Sequence, residues 1–197
     1  GVCFKHIING LKMSYGLKNL FHRYQYIFIS DFMELRVFNG RSINKIFNWA
    51  IEHLGTENVL LVELPDKDRD LRNNLPSNER YVSSSFILGT ALLASLPYKI
   101  PIENEGILGR IEKDFQLSVD YRKIIKEFFI YKSAYNYMLK FYDPKALMVT
   151  NYFNHLNQAA VAAANELNIA TIEFQHGLIS DSDSYYNMFK KFDSLTM

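Results

Sequence analysis

Apolar residues along the chain fall into two kinds of run. Four are short and continuous: YIFIS (26–30), NVLLVEL (58–64), ALMVT (146–150) and ATIEF (170–174). Each is apolar on both faces rather than alternating, the pattern of strands in a parallel sheet covered on both sides. RYVSSS (80–85) is a weaker fifth run of the same kind.

The second kind of run repeats at helical spacing. SINKIFNWAIEHL (42–54) places Ile43, Ile46, Phe47, Ala50, Ile51 and Leu54 on one face, with Gly55 as the stop. SVDYRKIIKEFFIYKSAYNYMLKFYD (118–143) aligns Tyr121, Ile124, Ile125, Phe128, Tyr135, Met138 and Tyr142, and Asp143-Pro144 ends it. That aromatic stripe reads as core rather than as a stacking platform. NHLNQAAVAAANELN (154–168) is an alanine-rich helix with Leu156, Ala160, Ala163 and Leu167 in line, its small residues allowing close packing on a sheet. PDKDRDLRNNLPSNER (65–80) is the most polar stretch and reads as a solvated loop.

Strand, helix and strand recur, so the expected class is α/β with a mostly parallel sheet flanked by helices. ALMVT and ATIEF should be parallel neighbours joined through the helix at 154–167. In such a sheet ligands bind just beyond the carboxyl ends of the strands. Three junctions occupy that position: Ser30-Asp31, Thr150-Asn151 and Gln175-His176-Gly177.

Bulk properties narrow the field. The net charge of +1 removes any electrostatic argument for nucleic acid as a partner. A single cysteine, Cys3, rules out an internal disulfide and suits a reducing compartment. No stretch reaches the roughly 20 apolar residues of a membrane-spanning helix. Lys5, Lys12, Lys18 and Arg23 are the charged residues before Asp31; they read either as a solvated helix face or as a basic surface for anionic lipid head groups. The opening Gly1 and the ending FKKFDSLTM are those expected of one domain, 1–197, taken from a longer protein.

Among the junction residues, His176 can serve as a general base or donate to a sugar hydroxyl or phosphate oxygen, and Gly177 beside it allows close backbone approach. The alternative for His176 is a strand-end cap that satisfies a buried backbone group. Asp31 can orient a histidine or bind hydroxyls, or simply cap the next turn. Asn151 and Asn154 precede the alanine-rich helix, so N-capping is the first explanation for at least one of them. Asp31, His155 and His176 have no metal-binding spacing, and no metal site is assigned. VSSSF lacks the glycines of a nucleophile elbow, SDSDSYYN does not match a calcium loop, and FNGRS and GILGR do not qualify as phosphate loops.

The segment PKALMVTNYFNHLNQAAVAAANELNIATIEFQHGLIS resembles the N-terminal domain of GT-B-type glycosyltransferases from bacterial surface-polysaccharide clusters. In those proteins a strand introduced by proline, an alanine-rich helix and a second strand lead into a QHG turn. The similarity covers residues 144 to about 180 and rests mainly on QHG; the earlier stretch from YQYIFIS to VELP is only broadly similar. It implies two Rossmann-like domains facing across a cleft, of which this chain is the acceptor-side half. Gln175, His176 and Gly177 would then line the cleft, joined by Asn151 and His155 as substrate-binding residues, with His176 or Asp31 as catalytic base.

On that resemblance the partner is a glycan or lipid-linked glycan acceptor, at the cytoplasmic side of the inner membrane with peripheral membrane contact. No cofactor is expected in this chain, because the nucleotide-sugar donor would bind a second, C-terminal domain. Two other readings use the same strand ends: a non-catalytic sugar- or nucleotide-binding module, and half of a sugar-nucleotide epimerase.

Overall fold

Residues 4, 7–8, 10–11, 21–30, 34–38, 41–63, 81–95, 102–150 and 154–174 are described in a computed structural model of the chain. Their elements begin with β1 (Tyr26–Ser30), β2 (Leu35–Phe38), β3 (Arg41–Asn44), α1 (Asn48–Leu54), β4 (Val59–Glu63) and β5 (Tyr81–Ser83). They continue with α2 (Ser84–Ser95), α3 (Glu105–Asp114), α4 (Tyr121–Tyr142), β6 (Ala146–Val149), α5 (His155–Glu166) and β7 (Ala170–Glu173).

Five strands make one sheet in the order β5-β4-β1-β6-β7, and every neighbouring pair is parallel. The class is therefore α/β with a Rossmann-like parallel sheet, and all five apolar runs read from the sequence take part in it. β1 is central: Tyr26 faces Val59 on one side and Ala146 on the other. β6 and β7 are parallel neighbours joined through α5, as the pattern of 144–174 requires. The connection β1 to β4 crosses the sheet one way and β6 to β7 the other way, with α1 and α5 on opposite faces.

Both faces of the sheet are covered. On one, Ile27, Ile29, Leu60, Val62, Leu147 and Val149 pack beneath α2, α4 and α5. On the other, Phe28, Leu61 and Met148 meet Phe47, Ala50 and Ile51 of α1 and the turn before it. This two-sided burial is why the strands read as unbroken apolar runs. Ala159, Ala160, Ala163 and Ala164 of α5 are fully buried and bring that helix close to α4 and the sheet. The aromatic side chains add directional contacts, such as the edge-to-face pair Tyr24–Tyr142 with centroids 5.4 Å apart.

Helix ends follow their sequence signals. Asp120 Oδ1 accepts from the Lys123 amide at 3.1 Å to start α4, and Asp143 at φ 49° stops it before Pro144. Asn154 Oδ1 accepts from the Leu156 amide at 2.9 Å, so Asn154 is the cap of α5.

Four readings of the pattern need correction. The helix expected over 42–54 starts only at Asn48; residues 41–44 form β3, antiparallel to β2. Ile43 instead pairs with Arg36, in a register that runs from Leu35 opposite Asn44 to Phe38 opposite Arg41. The aromatic stripe of α4 is core only in its second half: Tyr135, Met138 and Tyr142 are buried, while Ile124 is exposed and no residue before Ile130 is buried. ATIEF is not covered on both sides: all four residues of β7 are exposed, and among the described strands β7 is the edge with β6 as its neighbour. Finally, α2 and α3 lie where no helix was expected. α2 (SSFILGTALLAS) is apolar around its circumference and has no polar face to reveal the helical period.

Candidate functional site

The strand order identifies one special edge. β1 and β6 are adjacent, yet the chain leaves β1 toward β4 and leaves β6 toward β7. Their connections diverge to opposite faces, the topology at whose carboxyl ends parallel α/β sheets bind ligands. Ile29 and Val149 are the last register pair, so Ser30 and Thr150 stand side by side at that edge.

Both hydroxyl residues are fully buried. Ser30 Oγ accepts from Asn44 Nδ2 at 2.5 Å. Thr150 Oγ1 has no hydrogen-bond partner among the described residues. An unsatisfied buried hydroxyl costs about 1–3 kcal/mol.

The β2–β3 hairpin is tied to the last residue of β1 through Asn44 and closed at its own foot by Glu34 and Lys45. Asn44 is the pivot: besides Ser30, its Oδ1 accepts from the amides of Ile46 at 3.1 Å and Phe47 at 2.9 Å, which turns the chain from β3 into α1. At the foot of the hairpin the Lys45 amide donates to the Glu34 carbonyl at 2.8 Å. Lys45 Nζ also lies 3.1 Å from the buried Glu34 carboxylate. The hairpin is thus anchored to the carboxyl end of β1 through Asn44.

Beyond that turn α1 presents Trp49, which is 74% exposed and stacks on His53 with ring planes 9° apart. Trp49 is the single tryptophan of the chain and sits in the first turn of α1, at the end of the sheet where Asn44 holds Ser30. The helical pattern of 42–54 puts Trp49 outside the apolar stripe, which is the signal that singles it out.

Of the residues selected from the sequence, His155 alone is described. It opens α5 at the carboxyl end of β6, and its Nε2 lies 3.5 Å from Glu127 Oε2 of α4. His155 is therefore oriented by α4, on the flank of the edge that holds Ser30 and Thr150. Asp31, Asn151, Gln175, His176 and Gly177 lie outside the described residues, each within four residues of a described strand end. Phe174, the residue before Gln175, is anchored: its amide donates to the Val149 carbonyl at 2.8 Å and its ring meets Phe47 edge-on at 5.2 Å. Among the described residues no three His, Cys, Asp or Glu side chains come together as metal ligands.

An apolar groove of about 500 Å³ lies elsewhere, between α2 and α4, with Leu60 and Ile87 in its wall and Phe21 and Phe141 at its rim. Leu60 and Phe21 place it toward the amino ends of the strands, away from the switch-point edge. No described helix is long and apolar enough to cross a membrane. The chain matches no model of a known protein family and no curated protein.

Proposed function

We propose that this chain is the acceptor-side domain of a GT-B-type glycosyltransferase that transfers a sugar from a nucleotide-sugar to a surface-glycan precursor. The observation that carries the reading is the divergence of β1 and β6 at Ser30 and Thr150. Asp31, Asn151 and the Gln175-His176-Gly177 turn each follow a strand delivered to that one edge. The resemblance of residues 144–180 to such transferases adds the substrate class. In this reading Thr150 and Ser30 form the floor, the β2–β3 hairpin and Trp49 form one wall, and His176 or Asp31 takes the proton from the acceptor hydroxyl. The donor would occupy a second domain, and the acceptor, free or lipid-linked, would be met at the cytoplasmic face of the inner membrane.

The test uses the single tryptophan. Trp49 fluorescence is titrated with oligosaccharide acceptors and, separately, with nucleoside-diphosphate sugars. Acceptors should perturb the emission saturably, Asp31→Ala and Thr150→Val should weaken that response, and nucleotide-sugars should bind weakly or not at all. Tight nucleotide-sugar binding by calorimetry would replace this reading with that of a nucleotide-binding module. In an active two-domain enzyme, His176→Ala should lower kcat by roughly two orders of magnitude if His176 is the base. If His176 only positions the acceptor, KM should rise with kcat nearly unchanged.

A further inference from the structure

Buried polar groups gather at one end of the sheet. Among the described residues, Ser30, Glu34, Asn44 and Thr150 are buried at or next to the carboxyl ends of β1 and β6, while the buried Ser85 and Asn157 belong to α2 and α5. Asn44 links the set. Its side chain donates to Ser30 Oγ, and the next residue, Lys45, donates its amide to the Glu34 carbonyl. Ser30 and Thr150 follow the last register pair of β1 and β6, so the two stand side by side.

Glu34 is the unusual member. A carboxylate is almost never enclosed unless it is paired, and this pair is lopsided. Lys45 Nζ lies 3.1 Å from Glu34 Oε2, but the lysine side chain is 41% exposed and the glutamate side chain 7%. The ammonium sits in water and the carboxylate inside. Geometry does not complete the pair either, for Glu34 Oε2 accepts no hydrogen bond from any described residue. Enclosing a carboxylate without its full set of donors is costly, and such groups concentrate where ligands bind. The chemistry of the unmet atoms says what ligand. Glu34 Oε2 can only accept, whereas Thr150 Oγ1, also without a partner among the described residues, can donate or accept. A molecule rich in hydroxyls can give to the first and exchange either way with the second. An ammonium serves the carboxylate better than the hydroxyl, and a phosphate is repelled by it.

We propose that Glu34 is a ligand-binding carboxylate of this end of the sheet, accepting from a hydroxyl of an uncharged sugar unit, with Lys45 as its counter-charge. The inference rests on the proposed function and adds to it the group recognised, a hydroxyl rather than a phosphate, and a residue outside the sequence-based candidates. Two measurements on the full chain test it, both with Glu34→Gln, which keeps size and shape and removes the charge. The first is urea unfolding without ligand. Because the ammonium of Lys45 stays in water, the midpoint should be no lower than that of wild type. The second is titration with neutral oligosaccharides, read by Trp49 emission and calorimetry. Affinity should fall at least about tenfold, the effect of losing a hydrogen bond to a charged group. A lowered midpoint overturns the proposal and makes Glu34 a structural tie of the hairpin. Equal affinity of wild type and Glu34→Gln for the oligosaccharides also overturns it, and leaves the proposed function standing. A wild-type chain that binds no oligosaccharide overturns both.

Discussion

Asn44 Nδ2 donates to Ser30 Oγ at 2.5 Å, tying the last residue of β3 to the last residue of β1 inside the protein. The same side chain accepts from two backbone amides at the start of the turn into α1. Asn44→Ala removes all three bonds at a buried position and should cost about 2–3 kcal/mol, read as a lower urea midpoint. Asn44→Asp keeps the acceptor and should recover part of the loss. An alanine variant within about 0.5 kcal/mol of wild type would show that the hairpin is held some other way.

Close approach of α5 to α4 and the sheet depends on side chains of one carbon. Ala160 and Ala163 are fully buried. Leucine at either position should overpack the layer and cost about 1–3 kcal/mol in thermal or denaturant unfolding. The exposed neighbour Gln158, on the same helix, should accept leucine with little change, which separates packing from helix propensity.

Tyr135 presents the opposite case. Its ring is wholly buried and its hydroxyl has no hydrogen-bond partner among the described residues. Tyr135→Phe removes an unsatisfied group without changing shape, so stability should be unchanged or rise by up to about 1 kcal/mol. A loss of stability on this substitution would mean that the hydroxyl is satisfied in solution.

Burial also sets the response to alkali. Desolvation pushes the phenols of Tyr131, Tyr135 and Tyr142 well above their ordinary value, with neighbouring Glu127, Tyr131 and Tyr24 adding to the rise in turn. A raised folded value means that the unfolded chain releases these protons first. The stabilisation is complete below the unfolded pKa of about 10 and is lost as pH rises through the folded values. For Tyr135 the slope should be about 1.4 kcal/mol per pH unit above about pH 10. Urea unfolding between about pH 9 and pH 11.5 should show it, and Tyr135→Phe should flatten it.

The strands were legible because a parallel sheet covered on both faces writes itself as continuous apolar runs, and Ile27 to Ile29 and Leu60 to Val62 have no exposed side. The hairpin was missed although FNGRS contains its turn dipeptide, because the segment was weighed as a phosphate loop and not as a turn. There Asn44 carries information that spacing cannot show, since its partner Ser30 is distant in sequence. Helix α2 was hidden by its uniform apolarity and α3 by its shortness. At the candidate site, the strand endings read from the sequence bring Ser30 and Thr150 side by side at one end of the sheet. Trp49 was passed over because a helix-face argument looks inward. The roles of Asp31, Asn151, Gln175, His176 and Gly177 rest on the sequence, and His155 is held by Glu127 at the flank of the edge.

The central position of β1 has a consequence for how the protein is made. Its partner β4 leaves the ribosome soon after it, but β6 follows only after the whole of α2, α3 and α4. During synthesis one side of β1 is therefore a bare apolar edge for most of the elongation time, free to pair with another nascent chain. The contacts that join β6 to β1 begin at Lys145, whose amide and ammonium both reach back to Gln25. A chain interrupted before that residue would keep its first three parallel strands and lack the stop on the fourth side. Its fate would be decided by chaperones rather than by its own stability.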